Sequence, residues 1–170
     1  KRFDGGSWIE LGGSASAAGV SAMGGYPEQA SVAVAGADVP AVAWQATSGS
    51  GREVFVKAFD GAWTGLAGSA SGVSDSGTAS RPRLAADANG RLVVAWIDSQ
   101  SGGSEVFLKR YDWTLGVWSE IDGSASGGGV SNSAGLSDDA ARAAGGDGLC
   151  VAWSEAAASG SEIVLRCTRR

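Results

Sequence analysis

The sequence predicts an all-β fold made of three copies of one structural unit. Val-Ala-Trp occurs three times, ending at Trp44, Trp96 and Trp153, so the tryptophans are 52 and 57 residues apart. A glutamate follows each tryptophan by nine residues, and a lysine or arginine follows each glutamate by four. Repeats of this length are typical of propellers, solenoids and repeat arrays.

Each repeat is expected to contain four short strands. The residues that end in Val-Ala-Trp form a predicted hairpin, and Asn89-Gly90 of the middle copy is a tight-turn sequence. No segment shows a helical period. Four antiparallel strands per unit form the blade of a β-propeller, whereas a solenoid would need shorter repeats. The predicted third strands are Glu53–Lys57, Glu105–Lys109 and Glu162–Arg166, and the predicted fourth strands are Trp8–Leu11, Trp63–Leu66 and Trp118–Ile121.

Residues 1–170 are predicted to form a single propeller unit of three four-stranded blades. The repeats cover approximately residues 1–56, 57–108 and 109–165, and residues 166–170 restart the pattern. Known propellers have about four to eight blades, so three blades cannot close. We therefore expect Trp8–Leu11 of one chain to complete residues 138–170 of another, in a head-to-tail homodimer of six blades. The alternative is that the sequence is half of a longer chain.

Composition limits the partners and cofactors of the chain. The net charge of −5 and the isoelectric point near 4.6 argue against a nucleic-acid partner, because phosphate binding needs clustered Lys and Arg. No apolar run is long enough to cross a bilayer. Histidine is absent, which removes the commonest general base and metal ligand, and the two cysteines lack zinc-type spacing. Neither a metal nor a cofactor is expected.

The two cysteines are expected to form a disulfide. Cys150 lies on the second strand of the last repeat and Cys167 on its third strand, and the other copies lack cysteine at both positions. If the two residues face each other, the antiparallel register also places Glu155 opposite Glu162, which brings two acids together. A bridge would imply an oxidising compartment, so an extracellular or cell-surface location is expected. The alternative is a pair of buried free thiols.

Repeated aromatic and acidic side chains are candidates for ligand binding. The second and third strands of a blade meet at one end, so the repeated Trp and Glu should share one face with the Gly-Val-Ser loops at residues 19–21, 72–74 and 129–131. A Trp can stack on the apolar side of a sugar ring while charged groups bind the hydroxyls of the sugar. The alternative is that the Trp pack between blades and that each Glu pairs with a neighbouring blade. The candidates are Trp44, Trp96, Trp153, Glu53, Glu105 and Glu162, together with the unrepeated Trp113 in an enlarged turn.

The turns between third and fourth strands carry a family resemblance. Phe3–Trp8, Phe59–Trp63 and Tyr111–Trp118 each run from an aromatic residue and Asp through Gly to Trp. This pattern resembles a degenerate Asp-box, the turn of sialidase-like propellers between the same two strands. The resemblance implies a blade. Sialidase-like catalysis would also need a cluster of arginines, and the arginines here do not recur at matching positions, so we expect no enzymatic activity.

The repeated set of Trp, Glu and cation resembles the binding sites of fucose-type propeller lectins, which use Trp, Glu and Arg once per blade. That resemblance implies carbohydrate binding. The expected function is therefore a non-catalytic, extracellular propeller module that assembles with itself and binds glycan. The alternatives are a structural or protein-interaction array without a small ligand and, third, a sialidase-like hydrolase.

Overall fold

The computed structural model describes residues 1–16, 18–49, 51–66, 72–100, 102–145 and 148–168, with the backbone alone at residues 141–145. These ranges form strands and one short 3-10 turn at Gly36–Asp38. They contain no helix with the length and apolarity that a membrane span requires.

The N-terminal hairpin consists of β1 (Arg2–Phe3) and β2 (Trp8–Ile9). The first blade consists of β3 (Glu28–Ala35), β4 (Val39–Ser48), β5 (Gly51–Phe59) and β6 (Trp63–Gly65). The second blade consists of β7 (Ser80–Ala86), β8 (Leu92–Asp98), β9 (Glu105–Asp112) and β10 (Val117–Ser119). The third blade consists of β11 (Ser137–Gly145), β12 (Gly148–Ala157) and β13 (Gly160–Cys167).

The strands of each blade are antiparallel and hydrogen-bonded in chain order. The all-β class and the four-stranded sheet are confirmed. The prediction of three four-stranded blades per chain needs correction, because only the first and second blades have four strands in the described residues. The third blade ends at β13, and the N-terminal hairpin forms a separate two-stranded sheet. Residues 169–170 of the predicted restart lie outside the described residues.

The first strands of the three blades lie side by side. β3 packs against β7, and β7 packs against β11. The backbone N–H of Leu84 donates to Ser31 Oγ at 2.9 Å, which ties the second blade to the first. At the other end of these strands, Gly36 N–H donates to the carbonyl of Gly90 at 3.2 Å. A Cβ on Gly90 would lie 2.6 Å from Gly36 Cα, so this contact between turns requires glycine.

The core lies between the faces of neighbouring blades. The chain is poor in long aliphatic residues, so valine, alanine and the large aromatic rings supply most of the buried apolar surface. Trp96 and Trp153 each occupy one of these interfaces, which explains why the repeat needs a tryptophan at this position. Between the first and second blades lie Val54, Val56, Leu84, Trp96 and Phe107. Between the second and third blades lie Val93, Ile97, Leu108, Val151 and Trp153.

The third blade contains a disulfide between its second and third strands. Cys150 and Cys167 are bonded with an S–S distance of 2.04 Å. Their register places Glu155 opposite Glu162, as the sequence arithmetic predicts. The indole N–H of Trp153 donates to Glu155 Oε2 at 2.9 Å, which gives one of these two acids a partner inside its own strand.

Candidate functional site

The repeated tryptophans are buried. The exposed fractions are 4% for Trp44, 1% for Trp96 and 1% for Trp153. A lysine or arginine lies about 6 Å from each ring, because the third strand places its cation beside the indole. This geometry favours the packing role for all three residues. Ligand binding by them stays a prediction, and it would need the blades to open. The indole N–H groups donate to Met23 Sδ, Asp98 Oδ2 and Glu155 Oε2, respectively.

The repeated glutamates differ from one blade to the next. Glu53 is fully buried and accepts hydrogen bonds from Ser74 Oγ and from the backbone N–H of Gly77 at 2.6 Å. Glu105 is 4% exposed and accepts from Ser131 Oγ. Glu162, at the same position of the third blade, is exposed. The first two carboxylates therefore fasten the chain segment that leads into the following blade, and we call each such contact a clasp.

The repeated cations hold the same segments from the other side. Lys109 Nζ donates to the carbonyl of Val73 at 2.8 Å, and Lys57 Nζ donates to the carbonyls of Val20 and Ser21 at 3.0 and 2.8 Å. Burial lowers the pKa of Lys109, while the nearby carboxylates of Asp75, Glu120 and Glu53 act in the opposite direction. Each Gly-Val-Ser loop is thus attached to the blade that it precedes.

The aspartates of the Asp-box-like turns stabilise the turns themselves. Asp4 Oδ1 accepts from the backbone N–H groups of Gly6 and Ser7 at 2.9 and 2.8 Å. Asp112 Oδ1 accepts from those of Thr114 and Leu115 at 2.8 and 3.0 Å. These backbone hydrogen bonds lower the pKa of both carboxyls, because they stabilise the charged form.

Trp113 borders an open cleft between the first and second blades. Its side chain is 42% exposed, its N–H donates to the carbonyl of Gly90 at 3.1 Å, and its ring meets Tyr111 edge-on at 5.0 Å. These contacts fix the plane of the indole. The cleft has a volume of about 510 Å³, and Asp60, Thr64 and Asn89 bring polar side chains to it. We call it the Trp113 cleft.

Asp60 and Asn89 leave hydrogen-bonding capacity in the Trp113 cleft. Both residues are exposed, and no residue within the described ranges forms a hydrogen bond with either side chain. A carboxylate accepts hydrogen bonds, whereas an amide both donates and accepts. Together with an immobilised indole, the cleft therefore offers an aromatic plane beside groups that bind hydroxyls.

A second group of polar residues lies where the first strands begin. The first strands of the first two blades contain a β-bulge at the same place in the repeat, between Glu28 and Ser31 in β3 and between Ser80 and Arg83 in β7. In β11 the irregularity follows Asp138. Left-handed backbone conformations accompany the bulges, with φ of 53° at Gln29, 53° at Arg81 and 50° at Asp139. The strained non-glycine residues occupy one repeat position in the first two blades and the next position in the third. This recurrence points to a functional site, because bulges redirect side chains.

The bulges bring together what we call the axial polar cluster, which comprises Glu28, Gln45, Arg52, Arg81 and Asp138. The Arg81 guanidinium forms an ion pair with Asp138, and the Arg81 backbone N–H donates to Gln45 Oε1 at 2.8 Å. The Gln45 amide in turn donates to Glu28 Oε2 at 3.3 Å. A cleft of about 370 Å³ is lined by Gln45, Arg52, Arg81 and Asp138. Acidic, basic and amide groups thus surround one cavity.

A buried hydroxyl adds to this cleft. Ser137 is fully buried and lines the cavity, and its Oγ has no hydrogen-bond partner within the described part of the chain. An unpaired buried hydroxyl costs about 1–3 kcal/mol. The site therefore retains polar capacity that a bound water or ligand hydroxyl could use.

The axial polar cluster was not among the sites predicted from the sequence. Its residues do not form a repeated motif. Arg81 and Asp138 occupy the same repeat position, which is Gln29 in the first blade, and these three residues differ in charge. The available signal was their spacing, because each lies 15 residues before the tryptophan of Val-Ala-Trp. The three residues at this repeat position share only their polarity, so the identity of the residues carries no signal.

No protein-family model matches this chain, and no curated protein sequence is significantly similar to it. Solved structures share its fold. The α-L-arabinanase of Penicillium chrysogenum complexed with arabinobiose is similar with a TM-score of 0.60 at 12% identity, over 84% of this chain and 46% of that chain. A structure from the GH130 family of mannoside phosphorylases, which contains glycoside hydrolases that target β-1,2-mannosidic linkages in Candida mannan, gives a TM-score of 0.50 at 9% identity. It covers 82% of this chain and 49% of that chain. This chain spans about half the length of both neighbours.

These neighbours correct one prediction. The expectation of no enzymatic activity is wrong, because both neighbours are carbohydrate-processing enzymes with propeller-type folds. The expectation rested on the lack of a sialidase-type set of arginines, and one scaffold can carry many different catalytic sets. Neither neighbour is a sialidase or a lectin, so the resemblance is shown at the level of the propeller-like fold.

Proposed function

We propose that this chain binds carbohydrate and that the Trp113 cleft is the binding site. The observation that carries the proposal is an exposed, immobilised indole beside hydrogen-bonding side chains that have no partner among the described residues. The C–H groups on one side of a pyranose or furanose ring form an apolar surface that stacks on an indole. The hydroxyls at the ring edge would then bind the Asp60 carboxylate and the Asn89 amide.

The dimensions and rigidity of the cleft support this assignment. Its volume of about 510 Å³ lies within the range of about 300–1,000 Å³ that is typical of small-molecule sites. Trp113 is already held by Gly90 and Tyr111, so little side-chain entropy would be lost on binding. The two structural neighbours process glycosidic linkages, which makes arabino- and manno-oligosaccharides the first ligands to test.

Titration calorimetry of the purified chain with arabino- and manno-oligosaccharides tests the proposal. Trp113→Ala should weaken binding at least about ten-fold, which corresponds to about 1.4 kcal/mol. Leu115→Ala is the matched control, because Leu115 is 72% exposed in the same turn and does not line the cleft. Equal affinities of the two variants would exclude this cleft. The absence of binding to any sugar would instead favour a protein-interaction array.

A second candidate function is cleavage of a glycosidic bond at the axial polar cluster. The observation in its favour is that Asp138 and Arg81 line one cleft, and that Glu28 is joined to this lining through the Gln45 amide. Glycoside hydrolysis uses two carboxyl groups, one of which protonates the leaving group. Glu28 and Asp138 are the candidates. Product release from arabinan or mannan, lost in Glu28→Gln and Asp138→Asn but retained in Trp113→Ala, would separate cleavage from binding.

We also propose that the protein is located outside the cell or at the cell surface. The Cys150–Cys167 bridge supports an extracellular or cell-surface site, because disulfides persist in oxidising compartments. Quantifying free thiols in material from the native host would test it.

A further inference from the structure

We propose that the outer edge of β13 binds a second copy of this chain through that copy's Gly19–Ser21 loop and the exposed face of its β3. This interaction surface is independent of the proposed carbohydrate site. The proposal rests on a contact between a third strand and the loop that follows it, which occurs twice within the chain. A third copy of the strand and a third copy of the loop are also present, and these two do not contact each other.

The complete contact has the same form at both blade junctions. At the first junction, Val73 N–H donates to the carbonyl of Val54 at 2.6 Å, and Val54 N–H donates to Ser74 Oγ at 3.0 Å. Ser74 Oγ also donates to Glu53, which completes the clasp. The Gly-Val-Ser loop thus covers the outer edge of the third strand beyond the fourth. The second junction has the corresponding bonds, among Val106, Val130, Ser131 and Glu105.

The edge of β13 corresponds to the strand edges that the loops cover in the first two blades, and no described residue covers it. Glu162 is exposed, whereas Glu53 is fully buried. Ile163 and Leu165 are 79% and 62% exposed. Their counterparts in the first two blades are at most 2% exposed, and these are Val54, Val56, Val106 and Leu108. Apolar side chains that are covered in the first two blades are therefore exposed on β13, whose outer edge no described residue covers.

The loop Gly19–Ser21 is the donating half of the contact. Lys57 Nζ holds it against the first blade through the carbonyls of Val20 and Ser21, as Lys109 holds Val73 against the second blade. The loop is thus already folded as its counterparts are. Ser21 Oγ, however, donates to the carbonyl of Ala18 at 3.4 Å instead of to a glutamate.

The surroundings of Gly19 in this loop indicate that the third strand of a preceding blade would fit beside it. Gly19 and Gly72 both have left-handed backbones, with φ of 62° and 99°. A Cβ on Gly72 would lie 2.7 Å from Glu53 Cβ, so the clasp leaves no room for a side chain there. A Cβ on Gly19 would meet no atom within 4 Å. The space beside Gly19 corresponds to the space that the preceding blade's glutamate fills at Gly72.

The exposed face of β3 supplies apolar surface for the same contact. Val32 and Val34 are 69% and 57% exposed, whereas Leu84, at the position of Val32 in the second blade, is 6% exposed. Leu84 packs in the core with Val54 and Val56, whose counterparts in β13 are Ile163 and Leu165. The two exposed valines of one copy therefore match the two exposed residues of another.

A second copy satisfies both ends at once. The accepting edge and the donating loop lie on different blades of one chain, so the contact is head-to-tail, and it can close when each copy supplies both halves. Two copies would bring six blades together, within the range of about four to eight found in propellers. The β13 edge and the Gly19–Ser21 loop are repeats of the strand edges and loops that meet at the junctions inside the chain. This correspondence favours a second copy of the chain over an unrelated partner.

Light scattering during size-exclusion chromatography tests the proposal on the purified chain. We expect twice the chain mass of 16.9 kDa at a protein concentration of about 100 μM. Leu165→Lys places a charge on the exposed apolar face of β13 and should raise the dissociation constant at least about ten-fold. Leu115→Lys is the matched control, since Leu115 is 72% exposed on the second blade, and it should leave the mass unchanged.

Complementation separates a lost interface from a lost fold. Val32→Lys damages the opposite end of the chain. At a concentration below their raised dissociation constants, Leu165→Lys and Val32→Lys should each have the chain mass of 16.9 kDa. An equal mixture of Leu165→Lys and Val32→Lys retains one intact junction, so it should regain the doubled mass. A wild-type monomer at this concentration would overturn the proposal. So would equal effects of Leu165→Lys and Leu115→Lys, or a mixture that stays monomeric.

Discussion

Replacing Trp96 with alanine is expected to remove most of the stability of the chain. Trp96 is 1% exposed and stacks on Phe107 with ring centroids 6.0 Å apart. Emptying the space of a buried aromatic costs about 3–5 kcal/mol. The substitution also removes the N–H donor of the buried Asp98 carboxylate, which lies 2.9 Å away, at a cost of about 1–3 kcal/mol. The total of about 4–8 kcal/mol is comparable with the whole stability of many domains.

Equilibrium unfolding in urea, followed by far-UV circular dichroism, measures this loss. Trp113→Ala is the matched control, because it is the same change at a residue that is 42% exposed, and it should cost about 1 kcal/mol or less. Trp96→Phe keeps much of the ring and should fall between the two. If Trp96→Ala and Trp113→Ala cost the same, or if Trp96→Ala weakens sugar binding while stability is retained, the packing role is refuted.

Three further outcomes are expected. Glu53→Ala should destabilise the chain by about 1–3 kcal/mol for each donor that it leaves buried without a partner, measured by urea unfolding, and an unchanged midpoint would contradict the clasp. Hydrogen bonds lower the folded-state pKa of Asp4 and Asp112, so the stability they contribute is present above the unfolded-state pKa and is lost as pH falls through the lower folded-state value. Asp112→Asn should therefore show a smaller loss of thermal stability between about pH 5 and about pH 2 than the wild type. Thiol titration of the denatured, unreduced protein should find no free thiol, and two per chain would refute the Cys150–Cys167 bridge.

The strand content of the blades could be predicted because it depends on local sequence. Alternating apolar residues, the Asn89-Gly90 turn and the spacing of the repeats specify strands and their order. The register of β12 and β13 followed from simple arithmetic, because side chains alternate in antiparallel strands and two cysteines define the pair.

The axial polar cluster could not be predicted in the same way. A β-bulge adds one residue to one strand relative to its partner, so its position depends on the pairing of two strands and not on either strand alone. The sequence of β7 shows Arg81 beside Pro82, but the φ of 53° and the contact with Asp138 of another blade come from how the blades pack. Arginine and aspartate 57 residues apart have no local signal that would join them.

Glu53 and Glu162 show where sequence stops and tertiary structure decides. Both follow a Val-Ala-Trp tryptophan by nine residues and begin the third strand of a repeat, so the sequence by itself determined that each would stand at the same place in a blade. Their environments differ, because burial depends on chain segments that are distant in sequence. Glu53 meets Ser74 and is fully buried, whereas no described segment covers Glu162, which stays exposed. Local sequence specifies strands through backbone conformation, but only the packing of one blade against the next decides which carboxylates are enclosed.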